Sequence, residues 1–121
     1  MLGVIELIKD NRIVKITYKQ DLTEIDLQKS RETLNTICTE HNYSKILVDA
    51  TKFPSKFPII EAFNHGLSLA KNFTFRKAKH AIIATDNNFK ILEFISSIAN
   101  DRGANVKLFF SIDKSESWLN E

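Results

Sequence analysis

Short apolar runs alternate with longer segments of helical periodicity along most of this chain, and this alternation limits the folds that it can adopt. The runs at 45–49, 77–84 and 105–112 have the length and apolar content of β-strands. The segments between them place apolar residues three or four positions apart, which is the spacing of an amphipathic helix. Strands that alternate with helices in this way predict a parallel sheet with helical crossovers.

The beginning of the chain departs from this alternation. Residues 3–9 and 12–19 are two short runs on either side of Asp10-Asn11, and apolar and polar residues alternate in the second run. Asp-Asn between such runs is typical of a hairpin, so these residues are expected to form two antiparallel strands. The whole chain then has the order β-β-α-β-α-β-α-β-α, which predicts an α/β fold with a mixed, mostly parallel sheet of about five strands and about four helices.

Polar residues mark the ends of the expected helices. The helix over residues 21–41 has two competing capping boxes, one from Asp21 with Glu24 and one from Thr23 with Asp26. A later helix is expected to start at Asp86 or Asn87 and to end at Gly103, and the last helix is expected to start at Asp113.

Length and composition describe an ordinary globular protein. The 121 residues suit one domain, 1–121, and apolar residues make up 43% of them, which is enough for a core without disulfides or metals. The lone cysteine, Cys38, fits a reducing compartment. The first residues do not read as a signal peptide, and no stretch approaches the roughly 18 apolar residues of a membrane span. A cytoplasmic protein with no membrane span is therefore expected.

Five stretches of the chain carry a resemblance to a known family. They are the N-terminal hairpin and then DLTEIDLQKSRETL, KILVDATKF, HAIIATD and NVKLFFSIDKSESWL. This pattern resembles the STAS superfamily, and it is most similar to the SpoIIAA-like branch of small stand-alone proteins. Leu47-Val48-Asp49 matches the end of that branch's third strand, and Asp113, Trp118 and Leu119 match its C-terminal ending. The resemblance covers nearly the whole chain.

The resemblance implies a fold and a working surface. It implies helices packed mainly on one face of the sheet, and a domain that binds partners and small ligands and is rarely an enzyme. In anti-sigma factor antagonists of this superfamily, a partner kinase phosphorylates a serine at the start of the helix after the third strand. The nearby loop and helix form the partner surface. Related lipid-transfer domains of similar topology hold an apolar ligand instead.

Ser55 lies near the position of that serine. The antagonist motif is Asp-Ser followed shortly by Gly, whereas this chain has Pro54-Ser55-Lys56-Phe57-Pro58. Only the hydroxyl and its approximate position match. Ser55 is still a candidate phosphoacceptor, because a phosphate at a helix N-terminus gains from free backbone N–H groups and the helix dipole. The alternative is that Ser55 only caps the helix, since serine is a preferred N-cap residue.

Two groups of residues are candidates for binding. The loop after the third strand predicts a partner surface at Asp49, Phe53, Lys56 and Phe57, although Phe53 and Phe57 also suit a core or a hydrophobic staple. The basic segment around Arg76, Lys77 and Lys79 suits contact with phosphate, an anionic headgroup or an acidic partner. Its alternative is a solvated helix end whose cations complement the helix dipole.

Several classes of function have no support in the sequence. A net charge of +2 and the absence of an aromatic RNA-binding pattern argue against nucleic acid. The three histidines lack metal-ligand spacing, and no glycine-rich cofactor or phosphate loop is present. We expect no cofactor, no metal and no enzymatic activity. The sequence predicts a module that docks another protein, with a carrier or sensor of a lipid or small apolar ligand as the alternative; a homodimer is left open.

Overall fold

In the computed structural model, which describes residues 3–121, five strands lie side by side in chain order. The strands are β1 (Gly3–Ile8), β2 (Ile13–Tyr18), β3 (Lys45–Asp49), β4 (Lys79–Ile83) and β5 (Asn105–Phe109). β1 and β2 form the antiparallel hairpin, and β2 to β5 are all parallel. The predicted α/β fold and its mixed, mostly parallel sheet are confirmed. Met1 and Leu2, the first residues of the predicted domain 1–121, lie outside the described residues.

Within residues 3–121 there are five helices. They are α1 (Glu24–His41), α2 (Ile59–Lys71), α3 (Phe73–Lys77), α4 (Phe89–Asn100) and α5 (Ile112–Leu119). The helix that the sequence did not predict is α3, a single short turn between α2 and β4. It begins at Asn72, whose side chain accepts a 3.1 Å hydrogen bond from the Phe75 N–H. Asparagine is among the best residues at this position because its oxygen satisfies a free N–H of the first turn.

Successive side chains of a strand point to opposite faces of the sheet, and here they build two cores of unequal size. The larger core lies between the sheet and α1 to α4, and it contains Val14, Ile16, Ile46, Val48 and Ile82. The smaller core lies between the other face and α5, and it contains Ile13, Leu47, Ala81, Ile83 and Leu119. The helices thus lie mainly on one face, and α5 covers the other.

A glycine sets the distance between α2 and α4. A Cβ atom on Gly66 would lie 2.9 Å from the backbone oxygen of Ile95 and 2.9 Å from the Cβ of Ile98. The two helices can therefore pack closely only because residue 66 has no side chain. Between α1 and α2, by contrast, the Arg31 side chain reaches from α1 to bind His65 on α2.

The start of α1 uses one of the two predicted capping boxes. The Thr23 N–H donates to Asp26 Oδ2 at 2.9 Å, and the Asp26 N–H donates to Thr23 Oγ1 at 3.3 Å. Each side chain thus satisfies a backbone donor of the other residue, which selects Thr23 over Asp21 as the cap.

Two predicted caps are one or two residues away from the observed ones. Helix α4 follows Asn88 rather than Asp86 or Asn87. Helix α5 follows Ser111, whose hydroxyl accepts a 3.2 Å hydrogen bond from the Lys114 N–H, so Asp113 lies in the first turn instead of capping it. Gly103 follows α4 as predicted, with a φ of 101°, a conformation that glycine adopts without strain.

Candidate functional site

The carboxyl edge of the parallel strands carries the loop that the sequence singled out. Asp49 ends β3, and its Oδ1 accepts hydrogen bonds from the Thr51 N–H at 3.1 Å and from the Thr51 hydroxyl at 2.7 Å. An aspartate that binds the backbone two residues ahead closes a tight turn. Asp49 therefore shapes the start of the loop.

Asn88 connects this loop to the next strand end. Its Nδ2 donates to the carbonyl oxygens of Ala50 at 2.8 Å and Phe53 at 3.0 Å, and its Oδ1 accepts from the Thr85 N–H at 2.9 Å. The side chain is only 1% exposed. Buried backbone groups need such partners, so Asn88 joins the loop after β3 to the loop after β4.

Two aromatic side chains of the loop after β3 are buried in the core. Phe53 is 3% exposed and Phe57 is 5% exposed, and their ring centroids lie 5.0 Å apart. Phe53 also lies 6.2 Å from the Tyr18 ring. The expectation that these phenylalanines face outward toward a partner is corrected: the hydrophobic effect places both rings in the core, where they anchor the loop.

The structure also changes the place of Ser55. The Phe57 N–H donates to the Pro54 carbonyl at 3.2 Å, which closes a turn with Ser55 and Lys56 at its centre. Helix α2 begins after this turn, with Pro58 at the N-cap and no side-chain capping hydrogen bond. The cap reading of Ser55 is therefore wrong, because the turn separates Ser55 from the helix. Its side chain is exposed.

Beside this turn, apolar side chains are exposed to solvent. Ile59 is 60% exposed and Ile60 is 75% exposed on the first turn of α2, and Ile25 on α1 is 62% exposed. A groove of about 440 Å³ separates the start of α1 from the loop. Its walls are formed by Leu22, Thr23, Glu24, Ile25, Pro54, Lys56, Phe57, Pro58 and Glu61.

A half-buried chain of polar side chains joins α1 to α2 beside this groove. Arg31 Nη1 lies 2.7 Å from His65 Nδ1, and Arg31 Nη2 donates to Glu24 Oε1 at 3.4 Å. Burial, together with the charges of Arg31 and His80, lowers the pKa of His65 from 6.5 to about 3. His65 is therefore neutral at physiological pH, and its Nδ1 accepts the hydrogen bond from Arg31.

Next to this chain lies a small cavity in the main core. Its volume is about 30 Å³, and its walls include Tyr18, Arg31, His65 and His80 among apolar side chains. A water molecule needs at least about 10–15 Å³ measured in this way, so the cavity has room for one or two waters.

Four titratable side chains of the strand ends and the helices have different surroundings. Asp49 binds its own turn, His65 is buried against Arg31, and Asp86 is exposed. Burial raises the pKa of the Cys38 thiol to about 11, which keeps it protonated. Among residues 3–121, no three His, Cys, Asp or Glu side chains are placed to hold a metal ion.

The basic segment is divided between two faces of the molecule. The Lys79 ammonium donates to the Trp118 carbonyl at 2.9 Å and lies 4.9 Å from the Trp118 ring centroid, so it binds the end of α5. Arg76 and Lys77 lie on α3 instead, around the exposed ring of Phe73. Of the three predicted cations, Arg76 and Lys77 are therefore exposed, whereas Lys79 stabilises the fold.

Asn88 and Arg31 carry contacts that sequence reasoning did not anticipate. Their partners lie far along the chain, at Ala50 and at His65. The polar residues before the α4 periodicity predicted a helix cap at Asp86 or Asn87, and they gave no sign that Asn88 contacts the β3 loop.

The fold and the edge loop define an α/β protein with a structured loop at the carboxyl ends of its parallel strands. Comparison with protein-family models, with curated proteins and with solved structures finds no match for the chain. Across the described residues, none of the helices is both long enough and apolar enough to span a membrane.

Proposed function

We propose that this protein is a non-enzymatic interaction module that docks a protein partner at the carboxyl edge of its sheet. The docking surface consists of the exposed residues of the β3–α2 loop and of the first turn of α2. These residues are Lys52, Ser55, Lys56, Ile59 and Ile60. Ile25 on the opposite wall of the groove extends it.

The observation that carries the proposal is the exposure of two consecutive isoleucines. Ile60 leaves 75% of its surface in water and Ile59 leaves 60%. A single exposed apolar residue needs no explanation, but a cluster beside a groove is typical of an interaction site. Burying one isoleucine side chain at an interface contributes roughly 1.5–3 kcal/mol.

The loop is also held in one conformation before any partner arrives. Phe53 and Phe57 anchor it from the core, and Asn88 binds two of its carbonyl groups. A surface that is ordered in advance loses less conformational entropy on binding than a flexible one. This revises the predicted contacts: Lys56 belongs to the exposed surface, whereas Asp49, Phe53 and Phe57 support it.

Charge favours a particular kind of partner. The loop contributes Lys52 and Lys56 and no acidic residue. The two acids of the groove wall are Glu61 and Glu24, and Glu24 is paired with Arg31. A partner that surrounds an apolar contact with acidic groups would complement this segment.

The resemblance to the STAS superfamily supports the same place, because the partner surface of its anti-sigma factor antagonists includes this loop. We extend the proposal to Ser55: its exposed hydroxyl lies in the turn between Lys52 and Lys56, where a phosphate would change the charge that the partner meets.

The size of the core cavity favours the protein-binding proposal over a ligand carrier. Pockets for drug-sized ligands measure about 300–1,000 Å³ and bury most of the ligand, whereas the cavity in the main core measures about 30 Å³. The groove of about 440 Å³ between α1 and the loop is large enough, but it is open to solvent and does not enclose a ligand. A lipid chain would require the core to open, and no observation supports such an opening.

Affinity capture with surface variants tests the proposal. Wild type and Ile60→Ser are immobilised, and the proteins bound from a lysate are compared by quantitative mass spectrometry. We expect a bound protein that Ile60→Ser loses by at least about tenfold, since removing an isoleucine contact of 1.5–3 kcal/mol changes affinity by that factor.

Val4→Ser is the matched control, because Val4 on β1 is 54% exposed but lies on the hairpin. Loss of the same protein with both variants, or with neither, would contradict the proposed surface. Circular dichroism checks that each variant is folded.

A further inference from the structure

The amino edge of the parallel strands carries a second surface, at the opposite end of α2 from the docking surface. Helix α3 (Phe73–Lys77) follows the end of α2 and is separated from the start of β4 only by Ala78. It therefore lies where the parallel strands begin, away from the loop that follows β3.

This edge is rich in exposed positive charge. Residues 62–85 contain no Asp or Glu, and Lys71, Arg76 and Lys77 all have exposed side chains. Among residues 3–121 the two salt bridges are Lys19–Asp26 and Arg31–Glu24, so these three cations have no acidic partner there. Glu32 shares the wall of a neighbouring groove with Lys71, without an ion pair between them.

An aromatic ring lies among the cations and is exposed to solvent. Phe73 is 63% exposed. The Lys77 Nζ lies 5.0 Å from the ring centroid, and the Arg76 Cζ lies 5.9 Å from it. These distances are within the range of cation–π contacts. The pattern is an exposed apolar side chain with two cations beside it.

We propose that α3 binds the surface of an anionic membrane. Phe73 enters the boundary between headgroups and acyl chains, while Lys71, Arg76 and Lys77 meet the anionic headgroups. Aromatic residues partition into this boundary, and long cationic side chains reach from it to the headgroups. Each cation near such a surface contributes about fivefold in affinity.

The geometry favours a membrane over nucleic acid. Binding of single strands relies on several aromatic side chains on which successive bases stack. Here Phe73 is the single large apolar side chain of this edge that is strongly exposed within residues 3–121, and Tyr43 nearby is buried. One exposed ring suits insertion into a soft boundary better than it suits stacking of several bases.

The placement has a consequence for the docking surface. Helix α2 has 13 residues, so its two ends lie about 20 Å apart at 1.5 Å per residue. With α3 on a membrane, the docking surface would point away from the headgroups and stay accessible. The membrane proposal does not depend on the docking proposal, because no residue is shared between the two surfaces.

Vesicle co-sedimentation tests the inference with the whole chain. We expect binding to vesicles of phosphatidylcholine mixed with phosphatidylserine, and none to vesicles of phosphatidylcholine alone. Binding should weaken with added salt, because the Debye length falls from about 10 Å at 0.1 M to about 3 Å at 1 M.

Three variants separate the two parts of the surface. The double change Arg76→Glu and Lys77→Glu should reduce binding by more than about 25-fold, from fivefold for each lost cation. Phe73→Ala should reduce it about tenfold through loss of the buried ring. Lys114→Glu, an exposed lysine in the first turn of α5, is the matched charge control and should bind nearly as wild type.

Several results would overturn the proposal. They are no binding of wild type to anionic vesicles, an equal loss with Lys114→Glu, and an unchanged affinity of Phe73→Ala. Equal or tighter binding of a homopolymer nucleic acid that responds to the same variants would also overturn it. Circular dichroism of each variant ensures that a loss is not a loss of fold.

Discussion

Replacing Asn88 with alanine is expected to destabilise the protein more than most substitutions of a polar residue. The Asn88 side chain makes three well-formed hydrogen bonds, to the Ala50 and Phe53 carbonyls and to the Thr85 N–H, at 2.8, 3.0 and 2.9 Å. Alanine leaves all three backbone groups without this partner. The Ala50 carbonyl still accepts a hydrogen bond from the Phe53 N–H at 3.0 Å, so the groups left unsatisfied are the Phe53 carbonyl and the Thr85 N–H. Each buried group left unsatisfied costs about 1–3 kcal/mol, so the expected total is roughly 2–6 kcal/mol. This is a large share of the roughly 5–15 kcal/mol of a typical domain.

The isosteric change Asn88→Asp separates hydrogen bonding from packing. The aspartate keeps the side-chain volume and can still accept from the Thr85 N–H, but it cannot donate to the Ala50 and Phe53 carbonyls. A carboxylate facing two carbonyl oxygens is also repelled by them. At neutral pH we therefore expect Asn88→Asp to be at least as destabilising as Asn88→Ala.

Urea unfolding followed by circular dichroism and by the fluorescence of Trp118 measures these free energies. Asn87→Ala is the control, because Asn87 is the exposed neighbour of Asn88. It should change the free energy of unfolding by less than about 0.5 kcal/mol. If Asn88→Ala and Asn87→Ala differ by less than about 1 kcal/mol, the claim that Asn88 holds the loop is refuted.

Three further predictions concern single features of the fold. Gly66→Ala should cost about 1–2 kcal/mol in urea unfolding, because overpacking against Ile95 and Ile98 outweighs the better helix propensity of alanine; a stabilised variant would contradict the close packing of α2 and α4. Ser55→Ala should change the free energy of unfolding by less than about 0.5 kcal/mol, whereas a loss near 1 kcal/mol would indicate that Ser55 is a cap after all. The free energy of unfolding should fall as the pH decreases from 6.5 toward 3, because in that range the unfolded chain binds a proton at His65 and the folded protein does not. The decrease from His65 is up to about 1.4 kcal/mol per pH unit. Unfolding curves that coincide at pH 6.5 and pH 5 would refute this.

The strands and helices with a clear apolar pattern were predictable from the sequence. The run at 45–49 coincides with β3 (Lys45–Asp49), because a buried strand has to be apolar along nearly its whole length. The Thr23–Asp26 box was one of two readings, and local spacing alone could not choose between them. Helix α3 was missed because five residues are too few to show a helical period.

The site was less predictable, because its contacts are long-range. Ser55 suggested a helix cap because serine is a preferred N-cap residue. Its actual place depends on a turn from Pro54 to Phe57 and on two phenylalanines, Phe53 and Phe57, that are buried in the core. Nothing near Asn88 in the sequence indicates that it binds Ala50 and Phe53. Which face a loop residue presents is decided by packing, which the sequence pattern of a loop does not encode.

The most direct test of the docking proposal is an NMR titration of the ¹⁵N-labelled protein with the partner that affinity capture identifies. The proposal predicts that the largest shifts of backbone amide signals fall on Lys52, Ser55, Lys56, Ile59 and Ile60, with Ile25 across the groove, and that Ile60→Ser weakens binding at least about tenfold. Shifts concentrated on the β1–β2 hairpin or on α5, with these residues unchanged, would contradict it.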